Sequence, residues 1–304
     1  MNRIIIALVL IMGMFLNGNA QERSVYTHHF VNPVLVNPAA TGFSGDHGIV
    51  LNYNNKWAGF DNGPKALTLS YDGPIANRLS LGGILFRDGF AAEETIKGQL
   101  SFAYKIPAEN YEISFGIATE YLQFGLSGPA LTSPLVSYDD PLIKDRLAGA
   151  RFFDVAVATY GTFNDNIKFG LVLPGLVRAR LDDNGGESAR TINYILHLGY
   201  QYDVPNYDFY IEPSLFIKQL RGVPFHADVN LKFGFMEEQL IGGLSYALGY
   251  DRFGFLLGTQ VNNFKVFYSY NVSLEESQAY HNGMHEITLG FNISRLNQEE
   301  IMNK

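Results

Sequence analysis

The chain has 304 residues, a net charge of −8 and no cysteine. The lack of cysteine excludes a disulfide framework and any thiolate metal site, and the acidic balance argues against nucleic acid as a partner. Hydrophobic residues make up 47% of the chain and aromatics 14%, yet long apolar runs are absent after the first twenty residues, which points to alternation rather than to membrane helices.

The chain opens on Arg3 and an apolar run from Ile4 to Leu16. That is the length of a signal-peptide core and too short to cross a bilayer as a helix. Gly18-Asn19-Ala20 puts small residues where a signal peptidase reads, so cleavage is expected between Ala20 and Gln21. Residues 1–20 are therefore expected to be removed, and no cysteine follows the run to make it a lipoprotein signal. The mature chain leaves the cytoplasm.

Residues 21–46 form a lead-in without the pattern of a spanning strand. Its motif is a pair of Asn-Pro steps, Asn32-Pro33 and Asn37-Pro38, around Val34-Leu35-Val36 and followed by Gly42. Asparagine bonds locally to the backbone, and proline cannot donate to a ladder. The segment reads as an ordered periplasmic or lumen-docked lead-in, or as an extended linker with two turns. His28-His29 lies within it. Neighbours in an extended chain point opposite ways, so the pair reads as a polar periplasmic segment rather than as a metal site.

From residue 47 to residue 294 the chain alternates with a period of two, the signature of strands. The expected strands are His47–Trp57, Lys65–Tyr71, Leu79–Phe86, Glu94–Ile106, Tyr111–Phe124, Phe152–Tyr160, Asn166–Leu173, Thr191–Tyr202, Asp208–Lys218, Phe225–Phe233, Gln239–Leu248, Arg252–Gln260, Phe264–Asn271 and His285–Ser294. Most approach the ~9–11 residues of a tilted membrane-spanning strand. In the fourth, Ile96, Leu100, Phe102, Tyr104 and Ile106 share one face, and Lys97, Gln99 and Ser101 the other. About fourteen such strands and no helical stretch predict an all-β fold, a transmembrane antiparallel up-and-down barrel. Residues 295–304 form a C-terminal tail.

Two patterns support a barrel over a soluble sandwich. Links after even strands are short, as at Val261-Asn262-Asn263, and the longest follow odd strands, from Gly125, Pro174 and Val272. The parity is imperfect, because links near Arg221 and Asp251 are also short. The inward faces carry Lys97, Glu112, Glu120, Glu212, Lys218, Asp228 and Lys232. That charge is too dense for a dry core but suits a wet or plugged lumen.

Recognisable chemistry is sparse. No nucleophile elbow, zincin, P-loop or dinucleotide fingerprint occurs, so no catalytic residue, cofactor or metal ligand is assigned. Asp139-Asp140 and Asp182-Asp183 read as solvated loop charge rather than calcium ligands.

The motif Asn32-Pro33, Asn37-Pro38-Ala39 and Gly42, with Tyr53, Trp57-Ala58-Gly59, the run from Gly63 to Pro74, Asp88-Gly89 and His285-Glu286-Ile287, resembles the PorP/SprF family. Its members are outer-membrane proteins of the type IX secretion and gliding systems of Bacteroidetes. The specific motifs cover about the first third of the mature chain. One departure lies at Asn54 to Lys56, where the family often has a basic residue followed by Gln. The resemblance implies a non-catalytic barrel, seated in outer-membrane lipid, that assists export or surface anchoring of a cargo protein. That cargo would carry a C-terminal sorting domain, and other type IX components would be partners. It also implies a structural or docking role for Asn32, Pro33, Asn37, Pro38, Gly42 and Trp57. The other reading of the residues is a passive channel or hydrophobic-ligand transporter.

Overall fold

The computed structural model describes residues 26–60, 63–91, 93–126, 149–177, 193–220, 223, 225–274 and 281–293, and the backbone of 179–180. The expected cleavage site at Ala20 and Gln21, Asp139-Asp140, Asp182-Asp183, Arg221 and the tail 295–304 lie outside them.

Fourteen antiparallel strands close into a barrel. They are β1 (His47–Asn55), β2 (Lys65–Pro74), β3 (Leu79–Phe90), β4 (Glu93–Pro107), β5 (Tyr111–Leu126), β6 (Ala150–Phe163) and β7 (Ile167–Leu173). After these come β8 (Tyr194–Tyr200), β9 (Phe209–Gln219), β10 (His226–Phe235), β11 (Leu240–Leu248), β12 (Arg252–Val261), β13 (Phe264–Ser273) and β14 (Met284–Ile293). Two-residue pieces at Ala179–Arg180 and Tyr202–Asp203 add short pairings to β6 and β9. Each strand pairs with its sequence neighbour, and β1 closes the ring on β14, from His47 opposite Ile293 to Asn55 opposite His285.

The period of two becomes two chemically different surfaces. In β1, Ile49, Leu51 and Tyr53 point outward, while Val50, Asn52 and Asn54 point in and are buried. Leu85, Leu100, Phe115 and Leu257 continue the outer belt, each at least half exposed. Water would not tolerate such a continuous apolar surface on a monomer; lipid requires it. No backbone polar group in the spanning region can stay unpaired in hydrocarbon, which is why the ring must close.

Links after even strands are short. Asn164 and Asp165, in the three-residue β6–β7 turn, both have positive φ, a conformation that asparagine and aspartate accept. The longest links follow β5, β7 and β13. One expectation needs correcting: β3 runs on to Phe90 and β4 starts at Glu93, so the link after this odd strand is a third short one. The strands extend because Arg87, Asp88 and Gly89 keep ladder partners in Thr95 and Glu94 and their neighbours. Below, the barrel end where odd strands finish is called the loop side, and the other the turn side.

The core lies inside the barrel, between its wall and the lead-in. The lead-in forms three short 3-10 turns, Thr27–Phe30, Pro33–Leu35 and Pro38–Ala40. Ala39 and Ala40 pack on Ala118, Ala156, Ala158, Tyr160 and Val172. Phe30 packs on Ile241, Leu256 and Phe267. The inward face of the wall is small where the segment sits: a Cβ on Gly116 would lie 2.5 Å from the Ala39 nitrogen, and one on Gly82 would lie 2.8 Å from the Thr41 methyl.

The outward face sets a first prediction. Leu69, on the outer face at the middle of β2, replaced by Arg should cost about 2–4 kcal/mol of barrel stability. Urea-dependent folding into lipid vesicles measures this; an unchanged midpoint would place Leu69 away from hydrocarbon.

Candidate functional site

The site is built where the lead-in meets the wall. Its two Asn-Pro steps start 3-10 turns because proline fits the first position of a turn without needing a donor. They are not equivalent. The Asn37 Oδ1 accepts from the Ala39 N–H at 2.9 Å, and its Nδ2 donates to the Thr159 carbonyl at 2.9 Å, so one side chain caps the turn and ties it to β6. The Asn32 side chain makes no cap bond. Pro33 and Pro38 occupy the first positions of their turns.

Glu286 on β14 organises the other end. It is fully buried. Its oxygens accept from the Thr27 N–H at 2.8 Å and the His28 N–H at 3.4 Å. Asn52 and Asn54 of β1 donate to it at 2.8 and 3.2 Å. One carboxyl group thus joins the lead-in to both strands of the closing seam. His28 stands beside it, with its ring nitrogens 2.6 Å from the Thr288 hydroxyl and 2.9 Å from the Ser269 hydroxyl. Tyr26 reaches the Thr68 hydroxyl at 3.0 Å.

Further anchors lie toward the turn side. The Thr41 and Ser101 hydroxyls are 3.0 Å apart. The Gly42 N–H donates to Asp72 at 2.8 Å, and Lys105 donates to the Phe43 carbonyl at 3.0 Å. Gly42 holds φ near +60°, and a Cβ there would meet the Ser80 side chain at 2.4 Å, so glycine is required on both counts. Glu286 pairs with Asn54, next to the loop-side end of β1. Asp72 lies two residues from the turn-side end of β2. The lead-in therefore threads the lumen from the loop side to the turn side, as a plug.

This corrects the reading of His28 and His29 as a polar periplasmic pair. Both are buried in the lumen, at 0% and 2% exposure. They still diverge: His28 faces β13 and β14, while the His29 ring lies 4.0 Å from that of Phe216 on β9. Burial holds both imidazoles below their usual range, opposed at His28 by Glu286 and at His29 chiefly by Asp228.

The lumen-facing residues expected from parity pair with one another. Lys97 lies 3.7 Å from Glu120 and Lys105 3.4 Å from Glu112. Asp228 meets His226 at 2.7 Å. Lys232 lies 3.0 Å from Glu212, which also accepts from Lys168 at 2.8 Å. Trp57 is apart from the plug, on the link after β1, where its ring meets Phe90 edge to face at 5.1 Å and stacks on His281 at 6.2 Å. Sequence reasoning assigned no role to Glu286 or Asp72. The available signal was an acid at an inward position of an otherwise uncharged strand face.

The model of a protein family, the type IX secretion system membrane protein PorP/SprF, matches residues 18–291. The chain belongs to this family. It is an outer-membrane barrel component of the type IX secretion system. A search of curated proteins finds no match. Among solved structures it is similar to the toluene transporter TbuX of Ralstonia pickettii, with 9% identity over 85% of this chain and 92% of that one, at a TM-score of 0.51. It is also similar to the CymD monoaromatic hydrocarbon channel, with 13% identity over 92% and 94% of the two chains, at 0.51. At such identities the likeness concerns the fold.

Two predictions follow from the plug's anchors. Glu286→Ala leaves the Thr27 and His28 N–H groups of the lead-in without their acceptor, while Asn52 keeps Thr288. Each lost acceptor costs about 1–3 kcal/mol, so docking should weaken by at least about 2 kcal/mol. In planar bilayers the unaltered protein should stay closed and the variant should show intermittent openings; equal traces would contradict the assignment. The second concerns pH. His28 and His29 are held neutral when docked, so an undocked segment binds more protons at low pH. Docking should be full above about pH 6.5, the free imidazole value, and should weaken as pH falls below it. Amide exchange of residues 27–42 at about pH 7.5 and about pH 5 reads this, with smaller protection factors, once intrinsic rates are divided out, expected at the lower value.

Proposed function

We propose that this barrel is a non-catalytic anchor or export aid for a cognate cargo protein, with its loop side facing the cell exterior and its turn side the periplasm. The observation that carries this is the plug. A lumen crossed by a segment anchored to β14, β6, β4 and β2 is poorly suited to steady conduction, and leaves the outer rim as the working surface. On this reading Asn32, Pro33, Asn37, Pro38 and Gly42 seat the plug, and Trp57 shapes the rim beside His281. Lys97, Glu112, Glu120, Asp228 and Lys232 line the lumen wall. The links after β5 and β7 engage an exported protein bearing a C-terminal sorting domain, and other type IX components complete the assembly.

A second reading is passive transport of apolar solutes. It is motivated by the names of the two similar structures, a toluene transporter and a monoaromatic hydrocarbon channel. Steady single-channel currents from the unaltered protein would favour it. For the anchor reading, a photoreactive phenylalanine analogue replaces Tyr138 in the long link after β5. Irradiation of intact cells should join it to an exported protein that carries a sorting domain; adducts confined to periplasmic proteins would overturn the orientation.

A further inference from the structure

Above the plug the lumen wall changes character. Toward the turn side its inward positions are small or charged, as at Gly116, Ala118, Glu112 and Ser114 of β5. At the loop-side ends of β5, β6 and β8 the inward positions become Leu122, Phe124, Phe152 and Ile195. The Phe124 and Phe152 rings meet edge to face at 5.7 Å. With Leu35 and Val36 of the plug they enclose a chamber of about 220 Å³. Lys97 and Glu120, 3.7 Å apart, stand at one wall, and Asp154 and Lys218 at another. Two basic and two acidic groups leave the chamber balanced.

A lumen serving only to hold water gains nothing from an apolar lining, and such a patch rimmed by polar groups marks a binding site. Three observations bear on what enters. Leu35, Val36 and Pro38 of the plug line the chamber, so a guest arriving from the loop side meets the plug. The volume falls below the ~300–1,000 Å³ of pockets for drug-sized ligands, and suits one bulky side chain. The mouth adjoins the starts of the two longest links, because Phe124 lies two residues before the end of β5 and Val172, also in the lining, one before the end of β7.

We propose that this chamber receives one bulky apolar side chain, aromatic or branched aliphatic, from an extended segment of the exported polypeptide. The proposal rests on the anchor reading above and adds the contact point. The apolar lining and balanced charges select an uncharged side chain, since a lone charge would lose its hydration without a net countercharge.

The test uses the full-length protein in intact cells, with the photoreactive phenylalanine analogue placed singly at Leu122, at Tyr138 in the long link, or at the outward-facing Tyr121. Adducts are identified by mass spectrometry. Leu122 and Tyr138 should both capture the same exported protein with a sorting domain, and Tyr121 should not. Adding Phe152→Asp should lower the Leu122 adduct at least about tenfold, or about 1.4 kcal/mol, and leave the Tyr138 adduct in place. If Phe152→Asp fails to assemble, judged by heat-modifiable migration, Phe152→Ser replaces it with the same expectation. A Tyr138 adduct without one at Leu122 overturns the chamber and spares the anchor reading. A Leu122 adduct only to lipid or a small molecule, or one indifferent to Phe152 replacement, also overturns the chamber. Adducts at neither position overturn both.

Discussion

The structure depends on closure of one hydrogen-bonded ring. In hydrocarbon a strand edge has no water to satisfy it, so β1 must meet β14 along its whole length, from His47 to Asn55. Closure creates an interior, and that interior must then be filled or flooded. This chain fills much of it with its own lead-in. The seam and the plug are coupled through Glu286, which sits on β14, accepts from Asn52 and Asn54 on β1, and accepts from Thr27 and His28 in the lead-in. The group that ties the plug also spans the joint that closes the barrel.

Plug and wall are matched by size as well as by hydrogen bonds. Gly82 and Gly116 leave room where Thr41 and Ala39 approach, and the small side chains of Ala118, Ala156 and Ala158 receive Ala39 and Ala40. Other charged inward residues are paired with one another, as Lys168 and Lys232 are with Glu212. Buried ion pairs of this kind add little net stability over apolar packing, but removing one partner strands the other. The wall therefore fixes where the segment lies more than it adds to overall stability. On the loop side the same parity rule yields Leu122, Phe124 and Phe152, an apolar lining that faces the plug at Leu35 and Val36.

The barrel was legible in the sequence because the property that sets it is local. Each strand alternates within itself, as Ile96 to Ile106 does, and the side that meets lipid needs only to be apolar. Strand ends were less legible where chemistry did not change at the boundary. Arg87 to Gly89 continue β3 with no apolar signal, and Asn193, expected within β8, lies just before its start at Tyr194, while Thr191 is outside the described residues. The docking of the lead-in was open between alternatives for a different reason. Its anchors are distant: Thr27 and Glu286 are 259 residues apart, and Asn37 and Thr159 122 apart. A motif such as Asn37-Pro38 announces a turn; it does not say what the turn rests on. His28-His29 reads as a polar periplasmic segment because nothing local says what surrounds it, whereas the lumen supplies the Thr288 and Ser269 hydroxyls to His28, and the Tyr26 carbonyl accepts from His29.

The central claim is that the lead-in lies inside the barrel in one register, and the absence of cysteine allows a direct measurement of it. Thr41 and Ser101 place their hydroxyl oxygens 3.0 Å apart across the plug–wall contact, within reach of disulfide geometry once both are cysteine. The Thr41→Cys, Ser101→Cys protein, folded in outer membranes and oxidised, should form an intramolecular bond in most molecules, and Thr41→Cys with a cysteine at outward-facing Phe102 should not. A folded barrel whose thiols at 41 and 101 both stay free would place the segment outside the lumen.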